Sequence, residues 1–227
     1  MPNYAIIVAG GKGERMGKEI PKQFLELSGK PILMHTIEKF TKSFSDIKII
    51  LALPENQIDF WEELCFKHQF QAGGIQLAKG GKTRFESVKN ALQFVTEKGI
   101  VAIHDGVRPL VSKSTIINCI NKAVHSGAAI PVTDVVESLR FYSKSENTSK
   151  AVPRSCYKNV QTPQCFSTEI ILKAYKQPYN ENFTDDASVV EALGYSIQLV
   201  EGNVENIKIT TTTDLALAEI LRKIELD

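Results

Sequence analysis

Four cations fall within eleven positions near the start of the chain: Lys12, Arg15, Lys18 and Lys22, spread through YAIIVAGGKGERMG and the PKQ that follows. Three glycines, Gly10, Gly11 and Gly13, lie among them. Glycine lets backbone N–H groups approach an anion closely, and cations stabilise the charge that spreads over a phosphoryl group during transfer. The combination points to polyphosphate. A single basic residue on a turn is as often a solvated surface group, but a cluster beside glycines and after an apolar run favours a site.

Two familiar phosphate loops do not fit. A Walker A loop needs Gly-x4-Gly-Lys-Ser/Thr, yet Lys12 stands five residues before Gly17, and Glu19 follows Lys18. A dinucleotide fingerprint needs GxGxxG, but Met16 stands where the third glycine belongs, and no acidic residue closes a second strand about 20 residues on.

Further candidates lie far away in sequence. Asp105 and Arg108, in HDGVRP, follow the apolar run 100–104. His104 reads as structural. Lys208, in NIKIT, is expected to face inward from a strand end. Gly80 and Gly81 form a second glycine turn, and the pair Asp185 and Asp186 reads as helix N-capping in preference to metal ligation. Cys65, Cys119, Cys156 and Cys165 have no CxxC spacing and no nearby histidine pattern, which argues against zinc.

Bringing such residues together requires alternating elements. Short apolar runs at 5–9, 48–53, 75–78, 100–104 and 128–132 predict strands, with helices near 32–41, 57–68, 84–95 and 114–126 between them. Strands apolar throughout and separated by helices indicate a parallel sheet covered on both faces, with ligands at its carboxyl ends. Later come helices near 167–175, 185–193 and from 213, and strands at 196–200 and 206–209. The expectation is one α/β domain over residues 1–227, with a single Rossmann-like, mostly parallel sheet, helices on both faces and a protruding β-hairpin arm. That arm, about 138–163, has a polar centre flanked by strand-like segments.

The 227 residues are 43% hydrophobic, enough for one sizeable core. Lys and Arg number 27 against 26 Asp and Glu, a balance that offers no nucleic-acid surface. No apolar run approaches the ~20 residues of a membrane span. The opening MPNYAIIVAGG has neither a basic leader nor a signal-length apolar run, so a reduced, cytoplasmic protein is expected.

AGGKGERMG with PKQF resembles the GxGxRM…PK signature of nucleotidyltransferases that make nucleoside-diphosphate sugars and alcohols. GGKTRFESV, HDGVRP, QTPQCF, FTDDAS and GNVENIKIT then follow in the order found in the 2-C-methyl-D-erythritol 4-phosphate cytidylyltransferase family. The resemblance spans the whole chain. It implies a homodimer that uses CTP, a sugar-alcohol phosphate and Mg²⁺ held mainly by the CTP phosphates, with no metal ligands of its own. It further implies Arg15 and Lys22 as transition-state cations, and Lys208 and Arg154 as cations that hold the attacking phosphate. The cytosine would be read by Ala9, Gly10, Gly81 and Ser87, with Gly11, Gly13 and Lys82 in the same nucleotide-binding set. Asp105, Arg108, Thr162 and Thr184 would bind the alcohol substrate.

Two positions depart from the family's pattern: Lys82, where relatives often carry an acidic or small residue, and Val135, where many have threonine. A sister activity on ribitol 5-phosphate or another polyol phosphate would share the same cations. A dinucleotide-dependent oxidoreductase or a non-catalytic nucleotide-binding regulator is the reading from another class. The missing fingerprint glycine speaks against it.

Overall fold

The structure is a computed structural model that describes residues 3–10, 20–71 and 73–226. In chain order come β1 (Asn3–Val8), β2 (Glu26–Leu27), β3 (Lys30–Pro31), α1 (Ile32–Ser43), β4 (Lys48–Leu53), α2 (Ile58–Lys67), β5 (Gln76–Lys79), α3 (Arg84–Leu92) and β6 (Ile100–Asp105). They are followed by α4 (Lys113–Ser126), β7 (Ala128–Asp134), β8 (Leu139–Ser143), β9 (Thr148–Val152), β10 (Lys158–Val160), β11 (Gln164–Ser167), α5 (Thr168–Ala174), α6 (Asp186–Glu191), β12 (Gln198–Glu201) and α7 (Thr212–Leu226).

The central sheet runs β10-β7-β11-β6-β1-β4-β5, with β12 on the other edge of β7. β1 pairs in parallel with β4 and β6, β4 with β5, and β7 with β12. β11 is wedged antiparallel between β6 and β7, and β10 is antiparallel to β7. The sheet is mixed and mostly parallel, as the alternation of apolar runs and amphipathic stretches predicts.

The central strands β1, β4 and β6 are largely apolar because both of their faces are covered. Along β1, Ala5 and Ile7 pack with Leu33, Met34, Ile37 and Phe40 of α1 and with Trp61 of α2, while Tyr4 and Ile6 pack with Phe85, Val88 and Leu92 of α3. Each large apolar side chain buried in this way contributes roughly 1.5–3 kcal/mol. The 3–4 residue spacing on α1 puts those four side chains on one stripe.

The carboxyl ends of β1, β4, β5 and β6 meet along one edge, where the turns that follow are stitched together. Ala9 N–H donates to the Ala52 carbonyl, Gly80 N–H to Leu53 and Gly106 N–H to Val8, at 3.0, 2.7 and 2.8 Å. At Gly106 the backbones approach closely: a Cβ there would stand 3.0 Å from the Ala9 Cβ and 3.2 Å from the Val8 carbonyl oxygen, so a larger residue would have to push these neighbours apart.

Three expectations need correction. No strand forms at 206–209; the segment is irregular, because Asn206 spends its side chain and carbonyl on neighbouring loops and Ile209 N–H makes a single bond to Val107. Lys208 therefore projects from a loop, not a strand end. Asp185 does cap α6, its carboxylate accepting from Ser188 N–H, but Asp186 lies one position inside the helix and pairs with Arg84. The excursion forms the two-stranded hairpin β8–β9, and the chain then rejoins the main sheet through β10.

Candidate active site

A cleft of about 260 Å³ opens at the carboxyl ends of these strands. One wall carries Ala9, Gly10, Lys22 and Gln23; the facing wall carries Gly81, Lys82, Thr83 and Ser87 from the start of α3. Thr83 sets that helix start, its hydroxyl accepting from Glu86 N–H at 3.1 Å, while the Glu86 carboxylate accepts from Lys82 N–H at 2.6 Å. Ser87 is fixed from both sides: its hydroxyl accepts from Gly81 N–H at 3.0 Å and donates to the Thr83 carbonyl at 2.9 Å. A Cβ on Gly10 would lie 3.8 Å from that hydroxyl, so Gly10 and Ser87 face each other across a narrow slot. Beneath it, the buried Gln23 donates to the Ala9 carbonyl at 2.8 Å and to Gln57 Oε1 at 2.7 Å.

The cleft floor is Asp105, the last residue of β6 and nearly fully buried. Lys208 Nζ stands 3.0 Å from Asp105 Oδ2, Arg108 Nε donates to the same oxygen at 3.3 Å, and Arg84 Nε forms an ion pair with Oδ1 at 3.6 Å. Burial alone would push this carboxyl up; Arg84, then Lys208 and Arg108, reverse that and hold it well below the usual carboxylate range. Arg84 in turn donates both terminal nitrogens to Asp186, at 2.8 and 2.6 Å. Three cations thus meet two carboxylates, and the linked group keeps an excess positive charge in the cleft. That excess favours an anion.

Behind Asp105, the Thr162 hydroxyl accepts from Asp105 N–H at 3.2 Å and stands 2.9 Å from His104 Nδ1. His104 Nε2 lies 3.1 Å from the Arg108 carbonyl, which can only accept, so Nε2 carries the proton and Nδ1 accepts from Thr162. Burial holds this imidazole at about 4. Fully buried, with both nitrogens engaged, His104 is structural. Asn206, also fully buried, donates to the Thr162 carbonyl at 2.9 Å, and Arg108 Nη1 donates to the Asn206 carbonyl at 2.7 Å. These bonds fix the loop that delivers Lys208.

The cleft therefore collects Ala9, Gly10, Lys22, Gly81, Lys82, Ser87, Asp105 and Lys208, with Arg108 and Thr162 bonded to Asp105. Thr184 is exposed just before α6. Arg154 does not line this cleft; it sits at the base of the hairpin beside Val135 and donates to the Val136 carbonyl. Gly11, Gly13 and Arg15 lie outside the described residues. Sequence reasoning missed Arg84, Gln23 and Asn206. Arg84 lies within GGKTRFESV, but its partner is 102 positions away.

A family model described as 2-C-methyl-D-erythritol 4-phosphate cytidylyltransferase matches residues 4–223. The chain belongs to that family. A relative of that name from Bacteroides fragilis is 54% identical over 97% of this chain and all of its own, and one from Bacteroides thetaiotaomicron is 52% identical over the same shares. Among solved structures, a 4-diphosphocytidyl-2C-methyl-D-erythritol synthase from Anaerococcus prevotii superposes with a TM-score of 0.82 at 27% identity, covering 97% of this chain and 96% of its own. The 2-C-methyl-D-erythritol 4-phosphate cytidylyltransferase from Thermus thermophilus gives 0.75 at 31%, covering 96% and 98%. Membership in this cytidylyltransferase family makes the chain a nucleotidyltransferase. It also gives the six motif segments a common destination, since all that fall on described residues lie in or against the cleft except FTDDAS, which reaches it through Asp186 and Arg84.

Proposed function

We propose that the protein transfers CMP from CTP to 2-C-methyl-D-erythritol 4-phosphate, releasing pyrophosphate and forming 4-diphosphocytidyl-2-C-methyl-D-erythritol for isoprenoid synthesis. The observation that carries this reading is the pairing of a narrow glycine-and-serine slot with a cationic floor in one cleft. The edge of a pyrimidine would meet Gly10 and Ser87, and its triphosphate would run toward Lys22. The alcohol's hydroxyls meet Asp105, and its phosphate meets Lys208.

An oxygen of that phosphate attacks the α-phosphorus of CTP, and the bond to the bridging oxygen breaks as pyrophosphate leaves. The nucleophile is already ionised, so no general base is required, and the buried His104 supplies none. Catalysis is positioning plus charge stabilisation: Arg15 and Lys22 at the transferring phosphoryl group, Lys208 and Arg154 on the attacking phosphate. Among the described residues no three His, Cys, Asp or Glu side chains converge on a metal site, and Asp105, Asp185 and Asp186 are each committed to cations or a helix cap. Mg²⁺ fits as an ion brought by the triphosphate, which would supply charge neutralisation there. Arg154, lying apart from its own cleft, fits a homodimer in which it reaches the neighbouring one. The free, exposed thiol of Cys156 suits the cytoplasm.

The test is a product assay with CTP and a panel of sugar-alcohol phosphates. 2-C-methyl-D-erythritol 4-phosphate should be the preferred acceptor; preference for ribitol 5-phosphate would move the assignment to the sister activity.

A further inference from the structure

We propose that Arg84 is a positioning residue of this active site: braced from behind by Asp186, it holds Asp105 in place so that Lys208 can leave Asp105 for the phosphate of the incoming alcohol. This rests on the roles given above to Asp105 and Lys208.

Arg84 is the first residue of α3 and lines the cleft. Both of its terminal nitrogens are taken by Asp186, which leaves Nε to face Asp105 Oδ1 at 3.6 Å. Asp186 cannot swing away. It is fully buried, and the Tyr175 hydroxyl donates to its Oδ1 at 2.6 Å. A guanidinium can present separate edges to two carboxylates in fixed geometry; an ammonium is a point charge and cannot.

The two oxygens of Asp105 have divided duties. Oδ1 faces Arg84, whereas Oδ2 is shared by Lys208 and Arg108. When Lys208 turns to a phosphate, Asp105 still has Arg84 on one oxygen and Arg108 on the other. It never becomes an unpaired buried anion, a state that desolvation makes strongly unfavourable. Lys208 is the most exposed of the three, with 42% of its side chain open to solvent against 30% for Arg84 and 13% for Arg108, so it is the one an incoming phosphate meets first. The same brace ties the start of α6, directly after Thr184 and Asp185, to the start of α3.

The experiment measures steady-state kinetics and CTP binding for the wild type, Arg84→Gln, Arg84→Lys, Asp105→Asn and the double variant Arg84→Gln/Asp105→Asn. Arg84→Gln should lower kcat/KM for the alcohol phosphate by about 10²-fold, with CTP affinity nearly unchanged. In the Asp105→Asn background the same change should add little, because residues that act as a unit are non-additive. Arg84→Lys keeps the charge but cannot span both carboxylates, and should lose at least about tenfold. Should Arg84→Gln fail to fold, Arg84→Lys in the two backgrounds carries the same comparison. Equal losses in both backgrounds, losses shared evenly with CTP binding, or full activity in Arg84→Lys would overturn the proposal. A wild-type protein that forms no CDP-alcohol sinks the functional reading and this inference with it; an active wild type with additive losses sinks the inference alone.

Discussion

Gly10 and Gly81 are both glycines of the nucleotide slot, yet they are glycine for different reasons. At Gly10 a Cβ would meet, among the described residues, Ser87 Oγ at 3.8 Å, an ordinary contact in a position without left-handed backbone. At Gly81 a Cβ would overlap the Glu86 Cβ at 2.2 Å and press on the carboxylate that holds Lys82 N–H. Gly10→Ala should therefore fold normally and raise the KM for CTP by about tenfold, because the methyl occupies the space a base would take. Gly81→Ala should lose about 1–3 kcal/mol of stability as well. Thermal melts beside CTP titrations separate the two; an unchanged CTP KM in Gly10→Ala would remove the base from this slot. Lys22, on the same wall, is assigned to the transition state, so Lys22→Met should lower kcat by about 10²–10³ with a smaller change in CTP affinity. A variant with normal kcat and only a raised KM would show ground-state binding instead. Apart from Arg84, the cations of this site were legible one by one, because short motifs carry them. Their partners were not: Asp186 looked like a helix cap because Asp185 beside it is one, and the pairing of Arg84 with Asp186 depends on a fold that no local pattern encodes.

Among the elements, the buried parallel strands were the most legible, since β4 and β6 are apolar on both faces and stand out as continuous runs. β10 and β11 were not seen, because three- and four-residue strands that interrupt a parallel sheet carry no period of their own. The loop bearing Lys208 was mistaken for a strand for a related reason: NIKIT alternates, but Asn206 is tied to Thr162 and Arg108 instead of to a neighbouring strand. Two buried histidines hold element junctions together, and they set a pH window. His35 of α1 donates from Nε2 to the Leu27 carbonyl at 2.7 Å, tying β2 to the helix, while its Nδ1 has no hydrogen-bond partner among the described residues. Burial holds both His35 and His104 at about 4, against the ordinary 6.5. Because the folded chain resists protons that the unfolded chain takes up, stability falls as pH drops from about 6.5 to about 4, then levels off. Each histidine can contribute up to about 3 kcal/mol of this loss. Asp105 acts in a separate window: its folded value is depressed, so its contribution is full above the ordinary 3.8 and lost below it. Urea midpoints at several pH values should show the first fall well before the second. Glutamine at position 35 can still donate to Leu27, so His35→Gln should remove about half of the first fall. A midpoint that is flat between pH 7 and 4.5 would contradict the assignment.

For the molecule as a whole, the hairpin β8–β9 is the feature that a single compact chain does not explain. Within the described residues its strands pair only with each other, and Phe141 and Tyr142 are each more than half exposed. An isolated two-stranded hairpin is marginally stable in water, so it needs a surface to pack against. A second copy of the chain related by a two-fold axis would supply the same hairpin and the same exposed aromatics in return. Arg154 follows directly after this arm and stands apart from its own cleft, where a planar guanidinium could take a phosphate in two parallel hydrogen bonds if it came from a neighbour. The consequence is measurable by mixing two inactive variants, Arg154→Ala and Lys22→Met, under conditions that exchange subunits. In a mixed dimer with sharing, one cleft joins an intact Lys22 to an intact Arg154, and both defects fall in the other. Random exchange of equal amounts should then restore about a quarter of wild-type activity, since half the dimers are mixed and each has one working cleft. If exchange is confirmed by mass-tagged subunits and the mixture stays as inactive as its parents, Arg154 acts within its own chain, and the hairpin has to be explained by something other than a shared site.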